Sequence, residues 1–141
     1  MDELTPESLA KAYVAWTETG DRTMLQWFPD TFVDHVSGRS GPGIWDIVAR
    51  WGEASFADRR TELHAVMNDG DRVMVWITVN ATHIGNGFPR LAGLPVHGNQ
   101  VTWSQVHIFR IADGKVTEHW AVRDDAALLD QLSVPARTPD T

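Results

Sequence analysis

VTWSQVHIFRIADGKVTEHWAV, residues 101–122, decides the fold. Two runs with period-two alternation, residues 101–111 and 116–122, flank Ala112-Asp113-Gly114-Lys115, and an Asp-Gly pair between such runs is the chemistry of a tight hairpin turn. On the first strand Trp103, Gln105, His107 and Phe109 share one face, with Thr102, Ser104, Val106 and Ile108 on the other. On the return strand His119 and Ala121 share a face, opposite Glu118, Trp120 and Val122. A strand presenting Trp, Gln, His and Phe together reads as the lining of a mixed polar and apolar pocket rather than as a solvent face. His107 and His119 then stand on neighbouring strands of one pocket wall.

Outward from the hairpin, residues 73–83 form a long run rich in Val, Ile, Thr and Trp, the NDGDR turn precedes it, and residues 63–67 form another short strand. A Gly- and Pro-rich loop covers residues 85–99. Towards the C-terminus the pattern predicts a helix over 124–132, and SVPARTPDT, residues 133–141, has too little apolar content to pack. The first half keeps helical period instead. Thr5 caps and Pro6 opens a helix that carries Leu9, Tyr13 and Trp16 and stops at Gly20. A short second helix runs from Asp21 through Met24, Leu25, Trp27 and Phe28 to Pro29, and a third starts at Gly43 with Ile44, Ile47, Val48 and Trp51 on one side. Between them, residues 32–36 lead into the loop SGRSGPG. Helices first and consecutive antiparallel strands afterwards predict one α+β domain over 1–132, a cone in which a curved sheet wraps around helices and encloses a hydrophobic pocket, with a flexible tail over 133–141.

Composition narrows the function. The chain has 141 residues, 43% hydrophobic, with 12 Lys and Arg against 19 Asp and Glu, so a net charge of -7 argues against nucleic acid and anionic membrane as partners. It lacks any apolar run of about 20 residues that a bilayer span needs, and a soluble, cytoplasmic protein is expected. The absence of Cys removes disulfides, thiolate metal sites and a Cys nucleophile. His83 and His97 show no metal-ligand spacing, and no HExxH, GxSxG or phosphate-binding loop occurs, so no metal and no cofactor are expected. Six His and seven Trp remain as the unexplained surplus.

The stretches GDRVMVWITVNATHIG, LAGLPVHGNQVTWSQVHIFRIADGKVTEHWAV and ALLDQL resemble the SnoaL-like polyketide cyclase family, within the nuclear transport factor two and ketosteroid isomerase superfamily. IFRIADGKVTEHW is the most specific piece, whereas DHVSGRSGPG fits less closely. AYVAWTETGD resembles the first helix of ketosteroid isomerases, with Tyr13 at the place of their active-site phenol. The resemblance implies an α+β cone and an intramolecular aldol closure of an aromatic polyketide methyl ester without metal or cofactor. In it a general base removes a proton next to the ester carbonyl while donors hold the enolate. By the same resemblance His107 falls where the family keeps an acid or His, and His35 falls at or beside the isomerase base position.

One departure matters. Many cyclases of this family read EHWD, where that Asp is the acid/base residue, and this chain reads EHWA with Ala121 in its place. Either His35, His107 or His119 takes over proton transfer, or Asp124 reaches the pocket rim. Histidine is favoured because its ordinary pKa already lies near operating pH, and Asp124 is equally well explained as a helix cap. Tyr13, His35 and His119 are candidate donors to the oxyanion. Trp51, Ile77, Val79 and Trp103 are candidate apolar walls, with Gln105 and Ala121 beside them. The reading is thus a cofactor-independent acid/base enzyme acting on a hydrophobic, polyketide-like carbonyl compound. Its rivals are a binding module that has lost the chemistry and a relative that assists hydroxylation. A homodimer is expected through the sheet face that carries Trp76, Trp120 and Val122.

Overall fold

The computed structural model describes residues 2–133, so all but the first residue of the expected tail lies outside the described residues. Three helices, α1 (Pro6–Thr19), α2 (Gly43–Ser55) and α3 (Asp125–Leu132), accompany six strands, β1 (Val33–Asp34), β2 (Arg39–Ser40), β3 (Phe56–Asp69), β4 (Arg72–His83), β5 (Gln100–Ala112) and β6 (Lys115–Arg123). They form one mixed sheet in the order β2-β1-β6-β5-β4-β3, an α+β fold. All neighbouring pairs are antiparallel except β1 and β6.

Helix α1 starts where the sequence predicts it. The Thr5 hydroxyl accepts from the Ser8 N–H at 3.0 Å and Ser8 Oγ accepts from the Thr5 N–H at 2.8 Å, a reciprocal cap. Gly20 ends the helix at φ +75°, a left-handed position that glycine adopts at least cost, and its N–H bonds back to Trp16 O. The face bearing Leu9, Ala12, Tyr13 and Trp16 is buried against the sheet and α2. The expected second helix is only a 3-10 turn, Thr23–Trp27, because five residues before Pro29 are too few for a stable α-helical nucleus. The expected loop over 37–43 contains β2, which pairs with β1.

Strand β3 is far longer than the five residues predicted. Its polar sequence ADRRTEL hides alternation because β3 is an edge strand, exposed along much of its length. It also breaks register twice, once between Ala57 and Arg60 and once between Leu63 and Ala65. The first break holds Asp58 at φ 52° and turns Arg59 inward, the usual action of a bulge beside a site.

Register places the functional residues. Across β5 and β6, Gln105 faces Arg123, His107 faces Ala121 and Phe109 faces His119; across β5 and β4, His107 faces Val75 and Gln105 faces Ile77. These share the inner face. Trp76, Val106 and Val122 share the outer one, where Trp76 is 45% and Val122 69% exposed.

Two local devices close the pocket end of the sheet. Ile84 and Gly85 N–H groups donate to Ser55 O at 2.8 and 3.3 Å, and the Phe88 N–H donates to Ser55 Oγ at 3.1 Å, tying the loop after β4 to the end of α2. A Cβ at Gly87 would lie 2.7 Å from Trp51 O, so this close approach requires glycine. Helix α3 covers the part of β5 beyond β6: the Gln131 side chain accepts from Thr102 N–H at 2.8 Å and donates to Thr102 O at 2.9 Å, standing in for a neighbouring strand.

Candidate active site

Between the inner sheet face, α1, α2 and the loop after β4 lies a cavity of about 370 Å³. Its walls are mostly apolar, with Trp16, Trp45, Trp51, Phe88 and Trp103 among them, a surface suited to a flat aromatic ligand.

A polar chain crosses one wall. The two-residue strand β1 runs parallel to β6 and sets Asp34 beside His119. His119 Nδ1 donates to Asp34 Oδ1 at 2.7 Å, while the Ser37 N–H and hydroxyl donate to Oδ2 at 3.1 and 2.7 Å. His119 Nε2 lies 2.9 Å from His107 Nδ1, and His107 Nε2 lies 2.6 Å from Gln105 Oε1. The two imidazole planes are nearly parallel, at 13°. The Tyr13 hydroxyl sits 2.9 Å from Nε2 and 3.1 Å from Nδ1 of His107. Both ring nitrogens of His107 are thus within hydrogen-bond reach of this hydroxyl. Asp34, His107, His119, Tyr13 and Gln105 are each buried.

Burial governs the proton affinities. It would raise the Asp34 carboxyl, but hydrogen bonds from His119 and Ser37 together with the His119 charge outweigh it and hold the group at about 2. Burial pushes His107 well below the ordinary histidine value, helped by the charges of His119 and Arg123. It also lowers His119, against the pull of Asp34. Burial raises the Tyr13 phenol, which stays protonated as a donor.

Lone-pair accounting gives this chain two proton counts. With both histidines neutral, His119 Nδ1–H donates to Asp34, His107 Nδ1–H donates to His119 Nε2, and the His107 Nε2 lone pair accepts from the flipped Gln105 amide. With one more proton, His119 becomes an imidazolium on Asp34 and donates from Nε2 to His107 Nδ1, and His107 Nε2–H donates to Gln105 Oε1. A flip of the Gln105 amide accommodates the change. The arrangement can therefore accept a proton at His107 Nε2 and hold the charge beside Asp34.

Of the residues singled out from the sequence, Tyr13, Trp51, Val79, Trp103, Gln105, His107 and His119 line the cavity. Ile77 lies behind the wall, fully buried in the core. Ala121 faces His107 across the strands, outside the cavity lining. His35 is at the surface, where it pairs with Glu118 at 3.0 Å and stacks on Trp120 with ring centroids 4.8 Å apart. The reason is parity: Phe32 and Asp34 point inward in a local extended run, so His35 points out. Asp124 caps α3 by accepting from the Ala127 N–H at 3.0 Å, also outside the lining. Sequence reasoning missed Asp34, whose shared parity with Phe32 was the available signal. It also missed Arg59 and Arg123, which line the cavity. Among the described residues no group of three or more His, Cys, Asp or Glu is arranged to hold a metal ion.

Fold and site together define a small α+β pocket protein whose inner wall carries a buried Asp-His-His chain. This chain belongs to the SnoaL-like polyketide cyclase family, whose model matches residues 7–132. It is 26% identical over 117 residues to the aklanonic acid methyl ester cyclase DnrD of Streptomyces peucetius, covering 82% of this chain and 78% of that protein. It is 30% identical over 97 residues to the nogalonic acid methyl ester cyclase of Streptomyces nogalater, covering 68% and 69%. Among solved structures, AclR of Streptomyces galilaeus, a suspected hydroxylase, superposes with TM-score 0.75 at 28% identity over 96% of this chain and 85% of that one. TsrD of Streptomyces laurentii matches in fold, with TM-score 0.77 at 22% identity over 95% and 99%. No helix of the described residues is long and apolar enough to cross a membrane.

Proposed function

We propose that this protein is a cofactor-independent cyclase that closes a ring in an aromatic polyketide ester by an intramolecular aldol reaction, with His107 as the base. The observation that carries this reading is the buried chain from His107 through His119 to Asp34, 2.9 and 2.7 Å per link, at the wall of an aromatic cavity. His107 Nε2 removes the proton next to the ester carbonyl. The charge moves along the histidine pair to rest beside Asp34, and the Tyr13 O–H donates to the enolate oxygen. The enolate carbon then attacks a ketone carbonyl of the same molecule, forming one C–C bond. The resulting alkoxide takes the proton back from His107, so the product is an isomer of the substrate. Apolar walls exclude water, which strengthens each charged interaction.

The test is incubation with nogalonic acid methyl ester, the compound in the name of the Streptomyces nogalater relative. A ring-closed product of unchanged mass, formed without oxygen, reductant or added metal, is the expected result. Tight binding without conversion would instead favour a non-catalytic module. The likeness to AclR favours a second reading, assistance to hydroxylation. Product that requires oxygen and a reductant would establish it.

We also propose a cytoplasmic homodimer joined through the outer sheet face, on the exposure of Trp76 and Val122. Light scattering at micromolar concentration is expected to give twice the 15.7 kDa chain mass, and Val122→Glu the monomer. A native monomer would exclude the dimer.

A further inference from the structure

The cavity is charged against the sign of its protein. The chain carries a net -7, yet three arginines, Arg59, Arg90 and Arg123, line the cavity against a single carboxylate, Asp34, which His119 and Ser37 already occupy. Arg90 is satisfied by Asp125 at 2.6 Å. The Arg123 side chain has neither a hydrogen bond nor an ion pair among the described residues. It stands across from Gln105 on the inner face, with its guanidinium carbon 5.8 Å from the Trp103 ring centre. The Arg90 guanidinium lies 5.9 Å from the same ring, so two cations flank one indole. Arg59 is likewise without a hydrogen bond or ion pair among the described residues, and the missing side chain of Gly52 makes room for it: a Cβ there would lie 2.9 Å from Arg59 Nη1.

A half-buried guanidinium beside a second cation is costly unless an anion joins it. Five donors in a planar fork make arginine the natural partner of an oxyanion. Stacking against Trp103 holds the fork in place beside a flat ring system. We propose that this cavity binds its substrate as an anion, through an ionised oxygen on the aromatic polyketide that pairs with Arg123, and that Arg59 adds to the same field. The inference rests on the aromatic-polyketide reading of the pocket, and it adds that the neutral ester alone is an incomplete ligand. The anionic oxygen belongs to a carboxylate or to an acidic ring phenol.

Isothermal titration calorimetry with anthraquinone-2-carboxylate and its methyl ester tests the charge directly. The carboxylate is expected to bind about 10- to 100-fold more tightly, the worth of one charge-assisted hydrogen-bonded pair. Arg123→Gln is expected to reduce that preference to within about threefold, and Arg123→Lys to keep a reduced preference. Alizarin, followed through its own phenol ionisation, distinguishes the sources: affinity that rises with ionisation shows that a phenolate suffices, and affinity that does not assigns the carboxylate. Equal binding of carboxylate and ester to the native protein overturns the charge proposal and leaves the cyclase reading intact, whatever the folding of the variants. A preference that survives in Arg123→Gln removes Arg123 as its source. Binding of neither probe overturns the aromatic pocket and this proposal with it.

Discussion

Replacing His107 by Asn is expected to lower kcat by about 10²- to 10⁴-fold, the range over which a positioned acid/base group contributes. Asparagine keeps a donor near His119 Nε2 but offers nothing at the place of His107 Nε2, so the chain loses its cavity end alone. KM should change little, because most of the cavity wall is aromatic and aliphatic and is untouched. A variant that folds and turns over at the native rate would remove His107 from the mechanism.

Acidity supplies a second readout of the same residue. Burial and the charges of His119 and Arg123 hold His107 well below the ordinary histidine value, so the rate should persist as pH falls through about 6.5 and fail only below it. The Tyr13 phenol is raised, so no alkaline loss is expected from its ionisation. Stability has the same sign. Both histidines are lowered by folding, so the unfolded chain takes up protons first; stability is complete above about 6.5 and falls as pH drops towards the folded values. Urea denaturation at pH 8 and pH 5.5 should show that loss in the native protein and a smaller one in His107→Asn.

Alternation over residues 101–122 grouped Trp103, Gln105 and His107 on one face and His119 with Ala121 on another, but what brings the two groups to one wall is a register shift between Arg110 and Ile111: pairing continued unshifted from Ala112–Lys115 would set His107 opposite Trp120. The outer position of Trp76 and Val122 followed from the same parity. What stayed hidden was pairing between segments far apart in the chain. Strand β1 has only two residues, too short for a periodic signal, yet its parallel pairing with β6 carries Asp34 to His119 across 85 positions of sequence. Arg59 was hidden for a different reason: a bulge reverses parity locally, and no pattern of polar and apolar residues in ADRRTEL announces it. His35 attracted attention as a titratable residue at a family position, but adjacent residues in an extended run point to opposite sides, so Asp34 and His35 could not both enter the cavity. Ala121 reads the same way once the register is known. The position faces His107, and the buried carboxylate beside the histidines is Asp34, on the far side of His119.

A carboxylate behind His119 makes a strong prediction. Asp34→Asn keeps an oxygen to accept from His119 Nδ1, while its NH2 can donate to the rotatable Ser37 hydroxyl but not accept from the Ser37 N–H; the fold should survive the loss of that one bond, and with it goes the charge. Without it the imidazolium formed during proton transfer has no counter-ion in a buried site, and kcat is expected to fall by about 10²- to 10⁴-fold, as when the carboxylate behind a catalytic histidine becomes an amide. Acid stability should change in step. Asp34 is held at about 2 against an ordinary value of 3.8, which stabilises the fold above pH 3.8 by about 2 kcal/mol and is lost as pH falls to 2; the Asn variant should lack that loss. Adding Ala121→Asp to Asp34→Asn places a carboxylate directly across from His107 and should recover about tenfold or more of the lost rate. Recovery would show that the two positions supply one function. An Asp34→Asn protein with native kcat would dismiss the carboxylate from the relay, and a double variant no better than the single one would confine the role to position 34, where β1 meets β6.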